Sequence, residues 1–345
     1  MARSTNLQVP TIHPEVLGAM VMRAFQEKID IFNAASGGTI QLSYDTAWLQ
    51  ANGGDFTQPI HFATPSGVIQ HVDEADPATA LTPVSLVQAA GKNPIAGRVA
   101  YIKWTRDELM RGGMSSAQYT WAIAQAIADA RAHELREGLL GAAVGACGDM
   151  DSPSANCHTL DASTGKVAGA STDFTYTYLN RLLQKLGDAR AKIKVLALRS
   201  ELFHDLVGDS IANYKIDTVA GMSLTQGTAA TMGKDIIIAD SAALTAALTS
   251  SYYTEYKVLG LAEGALKAKI VSEDLPHIAE VDSSNVKYWT VRQDYDVEYE
   301  VQGMKWTTTI NPTNAELATT GNWTENYSDH REAGIVLGIF NSSVD

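Results

Sequence analysis

The sequence predicts an α+β fold, on three observations. Apolar residues recur at helical spacing near the N-terminus and again over 116–143. The segment from about 170 to 280 mixes helical patterns with short apolar strand patterns. Beyond Val281 the period switches to two, over Val291, Tyr295, Val297, Tyr299 and Val301. A chain of 345 residues has room for about two domains.

Residues 1–12 show no periodicity and read as a loose arm. Pro14 suits the first turn of a helix, where its missing N–H costs nothing. Leu17, Val21, Phe25, Ile29 and Phe32 then follow every three or four residues, the stripe of a helix that docks on something. Gly37-Gly38 ends it. From Thr39 to about Thr105 no helical pattern occurs. Ile40, Leu42 and Tyr44 alternate as in a half-buried strand. Asn52–Asp55, Thr64–Gly67, Asp76-Pro77, Thr82-Pro83 and Asn93-Pro94 are turn punctuation. Val99, Tyr101 and Lys103 resume the alternation. A helix-free stretch this long is functional or leans on a partner. A two-stranded arm packed on a neighbouring subunit fits, because an isolated hairpin is marginal in water.

The strongest helix signal comes next. Ser115 and Gln118 have capping-box spacing. Trp121, Ala124, Ala128, Ala132, Leu135 and Leu139 form its apolar stripe. Gln118, Gln125, Asp129, His133, Arg136 and Glu137 form its polar one. A helix over 116–143 spans about 40 Å at 1.5 Å per residue. Residues 145–172, small and polar, read as a loop carrying Cys147 and Cys157. Tyr178, Leu179, Leu182, Leu183 and Leu186 then make a helix, and Lys194–Leu198 a buried strand. Ser200–Val207 is a helix with Ser200 as its cap and Glu201 in its first turn. Asp235–Ala239, Tyr256–Leu261 and Ala265–Ile270 are further strands of the same α/β segment. After the alternating strand Gly303 turns the chain, and Lys305–Ile310 returns as its partner.

Composition narrows the function. The 45% apolar content implies a packed core, and 19% charge lies below the usual ~25%. The deficit hints at surface covered by copies of the same chain. A net charge of −13 argues against a free nucleic-acid binder, which needs a basic face, but not against a protein that encloses nucleic acid. No apolar run reaches membrane-spanning length. Val16–Phe25 is broken by Arg23 and has neither the charged leader nor the cleavage site of a secretion signal. Two cysteines with only His158 nearby make neither a disulfide framework nor a zinc site, and read as free thiols.

The chemical motifs are weak. Gly227–Lys234 resembles a phosphate loop, but its glycines are one residue too far apart. Asp235 also stands where Ser or Thr must hold magnesium, and the order is loop-to-strand. Asp294, Asp296, Glu298 and Glu300 put four carboxylates on one strand face. At about 6.6 Å between alternate residues one strand cannot wrap a calcium ion, so a solvated acidic face is the reading. His13, His61, His71, His133, His158, His204, His277 and His330 are scattered, and no HExxH or GxSxG occurs. The sequons at Asn322, Asn326 and Asn341 are chance without a leader. No catalytic, cofactor-binding or metal-ligating residue is assigned.

The order of elements resembles the major capsid proteins of tailed bacteriophages, with the Hong-Kong-97-type (Johnson) fold. Gly303-Met-Lys-Trp306, then Asn311-Pro-Thr-Asn-Ala-Glu-Leu-Ala318, then Asn322-Trp323 is similar to the GxxW/F … SPTNAELA … NW signature of one branch. Asn311 stands where Ser is common. Lys194–Val207, Met232–Asp240 and Tyr256–Ile270 also look similar. The resemblance implies an N-arm at 1–35, an extended β loop at 36–103, and a peripheral domain from 104–169 and 281–325 around the spine helix 116–143. It implies an axial α/β domain at 170–280 and a C-terminal segment at 326–345. It further implies a non-enzymatic shell protein that self-assembles through pentamers and hexamers into an icosahedral head. That head would enclose double-stranded DNA without sequence specificity. Partners would be a portal and a separate scaffolding protein, the N-arm being too short to serve as one. No cofactor and no membrane are implied, and the protein would reside in the virion after assembly in the host bacterial cytoplasm. On this reading Leu17, Phe25, Trp48, Phe56 and Phe62 are candidate intersubunit contacts. Asp294, Asp296, Glu298 and Glu300 are then a candidate acidic face that lets DNA slide. Two rivals stay open: an encapsulin-type nanocompartment shell enclosing cargo enzymes, and a soluble α/β enzyme.

Overall fold

The computed structural model describes residues 12–44, 61–62, 88–89, 92–105, 115–150, 159–161, 174–212, 234–245, 253–283, 286–308, 311–326 and 333–343. The chain begins with helix α1 (Pro14–Ala35), strands β1 (Ile40–Tyr44), β2 (His61–Phe62), β3 (Gln88–Ala89) and β4 (Ile95–Thr105), and helix α2 (Ser116–Met150). Next come β5 (Thr159–Asp161), α3 (Tyr176–Gln184), β6 (Ile193–Leu198), α4 (Ser200–Ala212) and β7 (Asp235–Ile238). Strands β8 (Tyr253–Ala262), β9 (Leu266–Glu273), β10 (His277–Ser283) and β11 (Val286–Val301) follow without a helix between them. The chain closes with β12 (Met304–Trp306), α5 (Asn314–Leu317), β13 (Trp323–Glu325) and β14 (Ile335–Ser343).

The first five-stranded sheet runs β1-β9-β11-β10, with β4 on the other side of β11. β1 lies parallel to β9 and the other pairs are antiparallel. Its inner residues Leu42, Leu266, Ile270, Val297, Tyr299 and Val301 share a core with Leu135, Leu139 and Leu140 of α2. The α1 stripe behaves as its spacing predicts: Leu17, Val21, Phe25 and Ile29 are buried, and α1 packs along α2. The second sheet runs β5-β14-β8-β6-β7. Leu179, Leu182 and Leu183 of α3 and Leu202 and Leu206 of α4 share its core with Leu196, Val258 and Phe340.

Several sequence expectations shift, each for a physical reason. α2 is a 35-residue helix that runs to Met150, past the expected end at 143, so Cys147 is a buried helical residue and not part of a loop. Gly145 and Gly148 fall in the span expected to be a loop, yet both are helical. Glycine is needed at both because the 313–323 segment lies so close that a side chain would not fit: a Cβ on Gly145 would sit 2.5 Å from the Leu317 carbonyl oxygen. Trp121 belongs to the expected stripe but is 58% exposed, since the contact face of that turn is Thr120, Ile123, Ala124 and Ile127.

On β4 the alternation is real but its sides are reversed. Val99 and Tyr101 face outward, while Ala96, Ala100, Ile102 and Trp104 face in. Period two fixes which residues share a face and not which face is covered. Ala265–Ile270 does not join the α/β strands. Gly264, at φ +67°, donates its N–H to the Gly38 carbonyl, which hands β9 to β1 in the first sheet. The second sheet is completed instead by β14, from the C-terminal segment at 326–345. Gly303 does turn the chain, at φ +82°, but β12 pairs with β13 and not with β11. Ser200 is not the cap of α4: Asp240 caps it, accepting from the Ser200 N–H at 3.0 Å and hydroxyl at 2.9 Å.

Candidate assembly framework around the long helix

The residues of the C-terminal motif converge on α2. Thr313 and Glu316 make a capping box: the Thr313 hydroxyl accepts from the Glu316 N–H at 3.3 Å, and the Glu316 carboxylate accepts from the Thr313 N–H at 2.7 Å. The Thr313 N–H and the Thr313 hydroxyl, which donates to the same carboxylate at 2.9 Å, hold the carboxyl of Glu316 below its usual pKa. The turn sets Leu317 and Trp323 into the core beside α2. Trp323 donates its indole N–H to the Leu317 carbonyl at 2.8 Å and meets Trp306 edge-on at 5.1 Å. Asn311 has φ +60°, a conformation that Asn tolerates better than most residues. Its side-chain oxygen accepts from the Gly97 N–H at 2.8 Å, and its own N–H donates to the Ile95 carbonyl, closing the start of the β4 edge. The motif is therefore a clamp that fixes β4, β12 and β13 against the long helix.

Three charged side chains on successive turns of α2 reach three different parts of the chain. Arg131 donates to Glu273 of β9 at 2.7 Å and stacks over the Tyr295 ring at 4.5 Å. Glu134 accepts from Arg98 of β4 at 2.7 Å and from the Asn314 amide at 3.0 Å. Glu137 accepts from the Ser241 hydroxyl at 2.6 Å, just beyond β7. Arg131 is 1% exposed at its side chain. The sequence analysis places Glu137 on the polar stripe without a partner and singles out neither Arg131 nor Glu134, although an Arg in line with Ala128 and Leu135 is a legible signal. Burial, and then Glu273, pushes the Tyr44 hydroxyl up to about 12, and burial pushes Tyr295 up to about 12.

The expected contact residues divide. Leu17 and Phe25 are buried in the chain's own cores, with Trp104 and Ile127 around the first and Ile40 and Leu135 around the second. Their side chains are thus occupied within one subunit, because α1 lies on α2 of the same chain. The surface that α1 leaves open carries Val16, Met22 and Ile31. Trp48 and Phe56 lie outside the described residues. Phe62 is in β2, whose backbone pairs with Gln88 in the two-stranded arrangement expected of the extended loop.

The acidic row is not an open face. Glu298 is only 8% exposed and accepts from the Asn93 amide at 2.6 Å. Glu300 meets Lys267 at 2.9 Å across the ladder, and Asp294 meets Arg292 at 3.0 Å. Asp296 stands beside Asp274 and Asp294; burial and then those charges raise its pKa. β4 adds Val99 opposite Asp294 and Tyr101 opposite Arg292, so the outer sheet face mixes charge with exposed apolar groups.

Burial is also the main reason the Glu298 pKa is raised from 4.5, against the lowering by Asn93. A carboxyl whose folded pKa exceeds its unfolded one binds more protons folded, so its contribution to stability falls as pH rises above the unfolded value. Glu298→Gln is expected to raise Tm at pH 7 relative to the parent and to lose that advantage below about pH 4. An equal Tm difference at both pH values would refute the assignment.

A family model described as Gp13-like, major capsid protein 13-like, matches residues 11–336. No curated protein matches the chain. Among solved structures, the capsid of Ralstonia phage GP4 is 10% identical with a TM-score of 0.50, covering 89% of this chain and 88% of that one. A structure from Mycobacterium phage Cain is 11% identical with a TM-score of 0.49, covering 98% and 94%. The capsid asymmetric unit of cyanophage Pam1 is 14% identical with a TM-score of 0.46, covering 89% of each chain. At such identities a likeness bears on the fold alone.

Proposed function

The chain belongs to the Gp13-like family of major capsid proteins, and from that premise we propose how it builds a bacteriophage head. Its fold is of the Hong-Kong-97 type, its role is structural, it associates with copies of itself, and its place is the virion shell. The match over residues 11–336 carries this reading, and it favours the capsid over the encapsulin alternative.

In the proposed arrangement the shell is icosahedral, made of pentamers and hexamers, and encloses double-stranded DNA. The first sheet, α2 and the clamp form the peripheral domain. The second sheet with α3 and α4, completed by β14, forms the axial domain. The exposed side of the N-arm helix and the part of the extended loop between β1 and β4 reach neighbouring subunits. Such heterologous contacts let one chain close a shell around symmetry axes. The exposed Val16, Met22, Ile31, Val99, Tyr101 and Trp121 support this, being apolar groups that the chain leaves to other surfaces. Assembly takes place in the host bacterial cytoplasm, with a separate scaffolding protein and a portal.

Electron microscopy of the purified protein tests the reading. Closed shells are expected, with nuclease-protected DNA of genome length in those taken from infected cells. A 37.0 kDa monomer at every concentration, with no particles, would overturn it. Shells filled with folded enzyme would instead restore the nanocompartment.

A further inference from the structure

The densest positive charge of this acidic chain runs from the last turn of α3 to the start of β6. Over residues 181–194, Arg181, Lys185, Arg190, Lys192 and Lys194 stand against the single acid Asp188, in a protein of net charge −13. Arg181, Arg190, Lys192 and Lys194 are exposed. The fold adds Lys234, the residue just before β7, the strand that pairs with β6. Asn180, Leu183, Arg190, Ala191 and Lys234 line a recess of about 330 Å³, and no carboxylate is among these described lining residues. A second recess of about 260 Å³ adjoins this segment, but there Lys194 is ion-paired with Glu263, so Lys192 is its remaining cation among the described lining residues.

We propose that this strip is a nucleic-acid backbone site, in which the Arg190–Lys234 recess takes a phosphate of enclosed DNA. Two cations and an amide converging on a recess match a phosphodiester. Arg supplies a planar fork, Lys a point charge and Asn180 a neutral donor. A run of exposed cations, Arg181, Arg190 and Lys192, beside the recess suits a polymer of repeated phosphates better than one isolated anion. Lys234 donates to the Ile193 carbonyl, which holds its ammonium at the recess. Its pKa is lowered, first by burial and then by Arg190, a repulsion that a bound anion would relieve. No phosphate loop is involved; the contact is with side chains, so it reads charge and not sequence. An acidic shell with a few such points would hold DNA weakly and still let it move.

This inference rests on the capsid reading only for the source of the DNA. The test is binding of the purified full-length protein to a short duplex of arbitrary sequence, by fluorescence anisotropy over a salt series. Each phosphate neutralised contributes about 0.9 to the slope of log K against log salt. The R190Q/K234Q double variant is therefore expected to lower that slope by about two and to weaken low-salt binding at least tenfold. The R190K/K234R variant keeps both charges and is expected to keep the slope. Inorganic phosphate is expected to displace the duplex no better than chloride at equal ionic strength. Tight displacement by inorganic phosphate would mark a single-anion site and overturn the polymer. An unchanged slope in the double variant would overturn the site. So would a double variant that binds DNA normally and fails to form shells, since the strip would then serve an acidic neighbouring subunit. Shell formation by microscopy, scored separately, distinguishes failure of the capsid reading from failure of this one.

Discussion

Replacing Gly145 by alanine is expected to destabilise the protein by about 1–3 kcal/mol, the range typical of overpacked sites. The expected sign is unusual. Gly costs a helix interior roughly 1 kcal/mol relative to Ala, so the same change in an open helix stabilises. Gly208 of α4 supplies that contrast, because a Cβ there would meet nothing within 4 Å. At Gly145 the new methyl would press on the Leu317 carbonyl and would lie 3.0 Å from the Trp323 indole nitrogen, the two partners of the clamp's hydrogen bond. Neither can swing away as a flexible side chain could, so the clamp must lift from α2. Urea unfolding midpoints for G145A and G208A should move in opposite directions. Equal stabilisation by both changes would show that the 313–323 segment does not press on the helix.

Removing either partner of the Arg131–Glu273 pair is expected to cost about 3–5 kcal/mol, because the survivor is left charged and buried. The two side chains are 1% and 5% exposed, and the Gln293 amide also donates to Glu273, at 2.6 Å. The double change to R131M/E273L removes both charges and should recover most of the loss, since desolvating an ion pair offsets much of its attraction. Recovery would be incomplete, as Gln293 and Tyr44 lose an acceptor. Denaturant unfolding of the two single variants and the double one forms the cycle. Single costs under about 1 kcal/mol would mean that water reaches the pair.

Arg131 also shows why part of the framework escaped the sequence. A charged residue within an apolar stripe was visible. Its partner Glu273 is 142 positions away, and nothing local announces it. The acidic row was misread for the same reason. Period two places four carboxylates on one face, but Lys267, the cation of Glu300, comes from the neighbouring strand β9 and the Asn93 amide from 205 positions away; of the three partners Arg292, two residues from Asp294 on β11 itself, is the local one. The C-terminal motif was more legible because its logic is local. Thr313 and Glu316 cap a turn three residues apart, and Trp323 bonds a carbonyl six residues away.

The α+β class, α1 with its buried stripe, the start of α2 at its capping pair, the strand β11 and the family resemblance are all legible in the residues alone. All of these rest on periodicity, capping or a contiguous motif, which are properties of short segments. The tertiary structure alone decided the length of α2, the outward face of β4, the sheets that β9 and β14 join, and the gathering of Arg190 and Lys234 at one recess. The physical reason is common to them. A glycine ends a helix or admits a neighbour, and a strand's period leaves open both its partner and its covered side. Those outcomes depend on which distant segment arrives to fill the space.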